Sequence, residues 1–421
     1  MSELYDDLCA FTPPMWNLLR YRLGDLSRYL PTEAAEPAVV AQKVVTLCNT
    51  HSSVKRHIDF VRGAFSRRSN DRAGWLAHRH EIEQELRVLG VQAGEGDTYL
   101  NLDDLYIELD VVRSGITMSD VDECGGPFGH LRPDSMQPEE ERDQTTLAGA
   151  LERLADHRRG HRGISLIGEP GSGKSTLLKK LWCTAYQRCK DDPNQPVPLL
   201  LPCATLQHLG VAGLKPRDLR RLADFLSTND GFYGVGEELL ADPQVPLLVL
   251  LDGLDELRRP EDRLSLCRWL VEEVRCWPRV LFVLTCRRAA WGAEEQALCA
   301  SRLLPFQLLN LTESSVADYV RRWFPRVAES EVRGLSRMRV QKAREQAEQQ
   351  ADELLDTLRA AQGLASDRLR NLTGNPLTLS TLCLVFRRHN FLPRRRGLLY
   401  RQCLEVLLRG RRCTESPSSS A

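Results

Sequence analysis

A phosphate-binding loop is the strongest chemical signal in the sequence. Residues 168–175 read GEPGSGKS, which fits the pattern G-x-x-x-x-G-K-[ST]. Its glycines let backbone N–H groups turn towards phosphate oxygens, and the helix that follows adds a partial positive charge at its N-terminus. Lys174 then reaches the β- and γ-phosphates, and Ser175 holds a magnesium ion. The predicted nucleotide-binding residues are Gly168, Glu169, Pro170, Gly171, Ser172, Gly173, Lys174, Ser175 and Thr176.

A second motif is an apolar run that ends in acidic residues, LLVLLDGLDE at 247–256. In phosphate-loop proteins a neighbouring strand, or one further along the sheet, ends in an aspartate that binds magnesium, and Asp252 has that position. A further acid can orient and deprotonate the attacking water. Asp255 and Glu256, one short turn beyond the strand, are the two candidates.

A third motif, VLTCRR at 283–288, is a strand that ends in polar and cationic residues. A cation beside the phosphate pocket can sense the γ-phosphate. We favour Arg287 over Arg288 for this role, and an ordinary surface arginine is the alternative. We interpret Cys286 as a small packing residue, because no histidine lies close in the sequence to activate its thiol.

The elements that must position these residues follow from apolar runs at 163–167, 197–201, 247–251, 280–284 and 303–308. Helical segments separate the runs, and this alternation is typical of a parallel sheet covered on both faces. We therefore predict a three-layer α/β fold, with a nucleotide-binding domain at 143–310. Helices predicted over 312–324, 331–361, 367–372, 376–388 and 398–408 form a helical subdomain at 311–410, followed by a disordered tail at 411–421.

The region before the nucleotide-binding domain divides into two parts. Residues 1–70 predict a small all-α adaptor domain, with helices that begin at Thr12 and cover 37–51 and 53–65. Because it contains no nucleophile–base or carboxylate pair, we favour protein docking over a purely stabilising role. Residues 71–142 predict a connector with a helix over 75–89, a strand over 106–112 and an exposed linker over 115–142.

Composition limits the possible functions. The chain has 421 residues, 42% of them hydrophobic, and equal numbers of basic and acidic residues, 57 each. The net charge is therefore zero, which gives no reason to expect binding to nucleic acid or to a membrane surface. No apolar run is long enough to span a bilayer, and the N-terminal residues do not have the charged-then-apolar pattern of a signal peptide. The thirteen cysteines include no C-x-x-C pair, which is typical of reduced thiols. We expect a cytoplasmic protein.

Together the motifs resemble the NACHT family of the signal-transducing ATPases with numerous domains. The resemblance covers roughly residues 140–410, and it includes GEPGSGKSTLL at 168–178, LLVLLDGLDEL at 247–257, LTCRR at 284–288 and LTGNPLTL at 372–379. It implies ATP or ADP with Mg²⁺ as cofactors and places Pro376 against adenine. Cys286 stands where the family usually has serine. Family members usually continue into a winged-helix domain and a repeat array, and we expect neither within these 421 residues.

The N-terminal unit is similar to the small death-fold-like domains that precede bacterial NACHT modules and recruit a separate effector. The resemblance therefore implies a switch in bacterial defence or signalling: ATP favours a homo-oligomer, slow hydrolysis resets it, and the N-terminal domain docks an effector. The main alternative is a multiple-turnover ATPase that drives a mechanical or remodelling process. A GTP switch is disfavoured, because the guanine-reading [NT]-K-x-D pattern is absent.

The loop assignment predicts that Lys174→Ala abolishes ATP binding, because the variant loses the ammonium that reaches the phosphates. Equilibrium dialysis against labelled ATP measures this directly. Lys190→Ala, outside the motif, is the matched control and should bind ATP as the wild type does. ATP retained by the Lys174→Ala variant would show that the loop assignment is wrong.

Overall fold

The structure is a computed structural model of the chain. It describes residues 2–11, 15–16, 19–20, 23, 30–31, 35–50, 54–55, 58, 72–93, 96–113, 145–156, 161–192, 194–208, 211–229, 244–332, 336–393, 397–399, 401–402 and 405. No helix in these ranges is both long enough and apolar enough to cross a membrane.

The N-terminal helices have a hydrophobic core of their own. Helix α1 spans Ser2–Cys9 and α2 spans Pro37–Thr50. Leu8 of α1 and Val44 of α2 are fully buried in this core. The helix predicted over 37–51 is confirmed, whereas α1 was not predicted. The helices predicted from Thr12 and over 53–65 lie largely outside the described residues.

Residues 72–113, which we expected to be a connector, supply a helix, a hairpin and a strand of the main sheet. The elements are α3 (Arg72–Glu83), β1 (Glu85–Ala93), β2 (Gly96–Asn101), α4 (Leu102–Leu105) and β3 (Asp110–Arg113). The helix predicted over 75–89 is too long, because the chain from Glu85 pairs antiparallel with β2. The strand predicted over 106–112 is confirmed only at its end, in β3. The linker predicted over 115–142 lies outside the described residues.

A seven-stranded sheet carries the predicted motifs. Its remaining strands are β4 (Thr145–Thr146), β5 (Gly163–Gly168), β6 (Val197–Pro202), β7 (Leu247–Asp252), β8 (Val280–Arg287) and β9 (Leu303–Leu308). The strand order is β4-β3-β9-β5-β8-β7-β6. Strands β5 to β9 run parallel, and β3 pairs antiparallel with both β9 and β4. The five predicted strands and the α/β fold are confirmed.

Helices connect the parallel strands, as crossover connections require. These helices are α6 (Lys174–Asp191), α7 (Cys203–His208), α8 (Leu219–Asn229), α9 (Pro260–Cys276) and α10 (Ala293–Cys299), and α5 (Leu147–Asp156) leads from β4 into β5. All six residues of β5 are buried, and in β7 only Asp252 is not. Gly168 lies opposite Arg287 in the β5–β8 register. The motifs at the ends of β5, β7 and β8 therefore meet at one edge of the sheet.

Glu273 of α9 fixes the start of α8. Its side chain is fully buried, and its two carboxylate oxygens accept the backbone N–H groups of Leu219 at 2.7 Å and of Arg217 at 2.5 Å. Burial raises the pKa of Glu273, and the two N–H donors oppose that shift. The carboxylate of α9 thus accepts hydrogen bonds from backbone N–H groups at the start of α8, which have no partner within α8.

The C-terminal region is helical, as predicted, and has a separate core. It contains α11 (Glu313–Glu331), α12 (Arg337–Thr373) and α13 (Pro376–His389). Trp323, Phe324 and Phe386 are buried in its core. The prediction of separate helices over 331–361 and 367–372 is wrong, since one helix continues to Thr373. Of the helix predicted over 398–408, the structure describes residues 398–399, 401–402 and 405.

Helix α4 joins the sheet to this helical region. Asp103 forms an ion pair with Lys180 of α6 at 2.6 Å. The adjacent Asp104 pairs with Arg326 of α11 at 2.9 Å. Exposed ion pairs add little stability individually, so we interpret them as contacts that fix the position of α4 rather than as a main source of folding energy.

The Glu273 contact predicts that Glu273→Ala lowers the free energy of unfolding by about 2–4 kcal/mol, because two backbone N–H groups lose their acceptor. Urea denaturation followed by tryptophan fluorescence measures the effect, and Trp269 on the same helix reports on this region. The control is Glu272→Ala, which removes an exposed carboxylate and should shift stability by less than about 1 kcal/mol. Equal effects of the two substitutions would contradict the capping role.

Candidate functional site

The phosphate loop connects the buried strand β5 to helix α6. Gly171 and Gly173 have φ of +75° and +93°, a backbone region that residues with a Cβ rarely adopt. Gly173 is the N-cap of α6, so the loop turns directly into the helix N-terminus. The backbone geometry that the motif predicts is therefore present.

Lys174 points back into the loop that precedes it. Its Nζ donates hydrogen bonds to the carbonyl oxygens of Gly168 at 2.8 Å and Glu169 at 2.9 Å. Burial lowers the pKa of Lys174, and the nearby Asp255 opposes this shift. A desolvated ammonium needs compensating partners. Here the loop carbonyls supply them, and phosphate oxygens can replace them at the same amine.

A buried threonine holds the acid at the end of β7. Thr285 of β8 is fully buried, and its hydroxyl donates to Asp252 Oδ1 at 2.7 Å. The same hydroxyl oxygen accepts the backbone N–H of Gly253 at 2.8 Å. These two bonds fix one carboxylate oxygen of Asp252 and the turn after it, where Gly253 has φ of +77°. The second carboxylate oxygen is not used by this network.

Asp255 and Arg287 form a two-point contact. Arg287 Nε lies 2.9 Å from Asp255 Oδ2, and the backbone N–H of Arg287 donates to Asp255 Oδ1 at 3.0 Å. The Asp255 side chain is 11% exposed and that of Arg287 is 52% exposed. The pair therefore has its carboxylate inside the site and its cation at the rim. Arg288 instead pairs with Glu169 of the loop at 3.5 Å.

Glu256 is the less tightly held of the two acids. Burial raises its pKa, the nearby Asp252 and Asp255 raise it further, and Arg287 opposes them. A carboxylate with a raised pKa accepts a proton more readily than an ordinary one. The buried Cys286 thiol has its pKa raised to about 12, mainly by burial, which agrees with the packing role predicted for it.

These groups share one cavity of about 510 Å³. Of the residues predicted from sequence, it contains the loop from Gly171 to Thr176, the acids Asp252, Asp255 and Glu256, and also Arg287 and Pro376. Gly168, Glu169 and Pro170 are not part of its lining. Their backbones instead form the base of the loop.

Other walls of the cavity come from residues that the sequence did not indicate. One wall is apolar and precedes the phosphate loop in the chain, at Leu105, Tyr106, Ile107 and Leu109. Another wall comes from α11 and α13, and consists of Tyr319, Ser380 and Thr381 together with Pro376. The strand predicted over 106–112 was the one signal that this segment is ordered. Thr285 is part of the LTCRR motif, but the motif did not indicate a function for its hydroxyl group.

The oxygen donors suit a magnesium ion held jointly with a phosphate. Ser175 and Asp252 line the same cavity, and a hydroxyl and a carboxylate are hard ligands of the kind that Mg²⁺ prefers. Among the described residues no cluster of three or more His, Cys, Asp or Glu side chains could hold a metal without other ligands. This donor set fits an ion that keeps several waters and binds substrate phosphates.

Comparison with known proteins gives one family match. Residues 162–326 match the NACHT domain, which lies within the 140–410 range of the predicted resemblance. Pro376 is outside the matched residues. A search of curated proteins gave no significant match.

Three solved structures show limited similarity. C. elegans PCH-2 has 16% identity and a TM-score of 0.35, and the alignment covers 62% of this chain and 65% of that chain, less than two thirds of it. Domain III of the Thermotoga maritima replication initiation protein DnaA has 14% identity and a TM-score of 0.29, covering 61% of this chain and 97% of that chain. The Aeropyrum pernix ORC2 protein, in ADPNP–ADP complexes, has 16% identity and a TM-score of 0.28, covering 66% and 88%. These scores are too low to indicate a shared function.

The Thr285 network predicts that Thr285→Val weakens the Mg²⁺-dependent part of nucleotide binding by about tenfold, because Asp252 loses the group that orients it. Titration of a fluorescent ADP analogue at increasing Mg²⁺ measures this effect, and affinity in EDTA should stay unchanged. Thr285→Ser keeps the hydroxyl and should retain the wild-type Mg²⁺ dependence. An unchanged Mg²⁺ dependence in the valine variant would contradict the positioning role.

Proposed function

We propose that this chain is an ATP-operated signalling switch, because residues 162–326 match the NACHT domain and the phosphate-binding loop lies within them. It binds ATP with Mg²⁺, hydrolyses it slowly and oligomerises in the ATP state. The observation that carries the proposal is that one cavity is lined both by the phosphate loop and by the helical subdomain. A nucleotide in this cavity contacts two structural units at once, so its phosphate state can change how they pack.

In this proposal the phosphates lie against the loop from Gly168 to Thr176, with Lys174 at the β- and γ-phosphates. The base lies between the apolar wall at 105–109 and Pro376. Gly173 supports this arrangement, because a Cβ placed there would lie 3.1 Å from Leu109 Cδ1 and 3.7 Å from Pro376 Cγ. Both walls thus converge directly above the loop.

Hydroxyl groups at the helical wall favour adenine. Ser380 and Thr381 each donate to a backbone carbonyl one turn earlier, at 2.8 Å. Ser380 then has no proton left for Tyr319, so at 2.6 Å the Tyr319 hydroxyl is the donor and Ser380 the acceptor. With their protons used internally, these oxygens can act as acceptors for the amino group of adenine. At the ring position of this amino group guanine has a carbonyl oxygen, which is itself an acceptor and lacks that match.

For hydrolysis, the bound ion would be held by Ser175 and Asp252 and would stabilise charge on the phosphates. Asp255 and Glu256 remain the candidates for the group that orients water. Glu256 lines the same cavity as the loop, and Asp255 is paired with Arg287. We propose that a γ-phosphate competes with Asp255 for Arg287, which makes this arginine the sensor of the phosphate state.

A switch requires that the two nucleotides bind the two conformations with different affinity. Each tenfold difference in a nucleotide's affinity for the two conformations shifts the equilibrium between them by about 1.4 kcal/mol. A nucleotide with equal affinity for both does not shift the equilibrium. The exchange at Arg287 is one source of such a difference, since ADP has no γ-phosphate to compete for it.

We further propose that the N-terminal helical domain docks a separate effector. Its hydrophobic core, to which Ile82 of α3 also contributes, is separate from the cores of the sheet and of the helical subdomain, so it can act as a module. Ten cysteines within the described residues have free thiols, which fits the proposed cytoplasmic location. A role in bacterial defence or signalling follows only from the family resemblance.

The switch predicts that a non-hydrolysable ATP analogue with Mg²⁺ converts the chain from monomer to a defined oligomer, whereas ADP does not. Size-exclusion chromatography with light scattering measures this change, and Lys174→Ala should remain monomeric with either nucleotide. A nucleotide-bound wild-type chain that stays monomeric would contradict the switch. Steady-state turnover above about one per second would favour the multiple-turnover ATPase instead.

A further inference from the structure

The start of helix α13 is in direct contact with the phosphate loop. Asn375, the N-cap of α13, accepts the backbone N–H groups of Leu377 and Thr378 with Oδ1, at 3.1 and 3.3 Å. Its Nδ2 donates in the other direction, to the carbonyl oxygen of Pro170 at 2.9 Å. One side chain therefore caps a helix of the helical subdomain and holds a carbonyl of the loop, and it uses different atoms for the two contacts.

A second bond lies beside the first. The backbone N–H of Leu377 is also 3.2 Å from the carbonyl oxygen of Gly171. The two segments are so close that a Cβ on Gly171 would lie 2.7 Å from Leu377 Cβ and 3.0 Å from Asn375 Oδ1. A side chain at Gly171 would therefore force the helix away from the loop, in addition to the strain that its positive φ imposes.

These bonds orient peptide groups of the loop. In a planar trans peptide the C=O and N–H groups point in opposite directions. Because Asn375 holds the Pro170 carbonyl, the N–H of Gly171 in the same peptide is turned away from α13. Because Leu377 holds the Gly171 carbonyl, the next peptide is also fixed, and its Ser172 N–H closes a turn on Glu169 O at 3.2 Å.

The position of Asn375 is also coupled to the start of α11. Gly374, immediately before Asn375, accepts the backbone N–H of Leu311 at 2.8 Å. Leu311 leads into Thr312, the N-cap of α11. A displacement of the helical subdomain therefore displaces Asn375 relative to the loop.

We propose that Asn375 is a positioning residue for the phosphate loop, which holds the Gly171 N–H towards bound phosphate and links loop geometry to the docking of the helical subdomain. This inference rests on the proposed nucleotide site. Its alternative is that Asn375 only caps α13. The two roles can be separated, because the cap needs an oxygen acceptor and the bridge needs an N–H donor.

The test uses the full chain with two substitutions that keep the cap. Asn375→Ser retains a good capping oxygen but is too short to reach Pro170, and Asn375→Asp retains the oxygen but replaces the N–H donor with an acceptor. The control is Arg387→Ala at the other end of α13, which removes an ion pair within the same subdomain, between Arg387 and Glu331 of α11 at 2.6 Å.

Three measurements are compared for each variant: the thermal midpoint by circular dichroism, the dissociation rate of a fluorescent ADP analogue with Mg²⁺, and hydrogen exchange in the loop peptide. For Asn375→Ser we expect dissociation about five- to tenfold faster, with faster exchange at the loop and an unchanged midpoint. Asn375→Asp should show the same pattern. Arg387→Ala should lower the midpoint and leave dissociation unchanged.

The inference is overturned if Asn375→Ser and Asn375→Asp both release the analogue at the wild-type rate, a result that leaves the nucleotide site itself intact. It is also overturned if Arg387→Ala accelerates release as strongly, because the effect would then come from the stability of the helical subdomain. If the wild-type chain does not bind the analogue, the proposed function fails and this inference fails with it.

Discussion

The buried ammonium of Lys174 is the constraint around which the site is built. Removing a charged group from water is unfavourable unless several oxygen atoms surround it. Two loop carbonyls provide those oxygens, and they can do so only because the loop turns back on itself through glycines with positive φ. The same turn exposes backbone N–H groups to the cavity. The need of the Lys174 ammonium for oxygen partners is therefore met by the same backbone turn that forms the phosphate-binding loop.

A second layer of interactions brings the catalytic candidates to this loop. Parallel pairing of β5, β8 and β7 aligns their C-terminal ends, so residues more than a hundred positions apart in sequence converge at one edge. Thr285 then orients Asp252, and Asp255 holds Arg287 at the rim. The cavity is closed from outside the sheet by α4 and the helical subdomain, which meet through the ion pair of Asp104 with Arg326, while Asp103 ties α4 to α6.

The sequence predicted those parts of the structure that depend on local pattern. The apolar runs gave the five parallel strands, because strands buried on both faces need continuous hydrophobic residues. The loop, Asp252, Asp255, Glu256 and Arg287 were identified because their motifs lie at strand ends. The prediction failed where strand pairing or tertiary packing decides conformation. Pairing of β1 with β2 ends the helix expected over 75–89, and Leu105 and Leu109 become part of the site only through tertiary packing. The bridge from Asn375 to Pro170 spans 205 residues and leaves no local pattern.

The antiparallel pairing of β3 with β4 has a consequence for how the chain can vary. Val111 lies opposite Thr145, so the chain leaves the sheet and returns to it at neighbouring positions, and the sheet edge itself brings the two ends of the intervening segment together. Because strand pairing holds β3 and β4 in the sheet, the positions of these two ends do not depend on the number of residues between them. A change in that number therefore leaves the nucleotide-binding edge of the sheet in place.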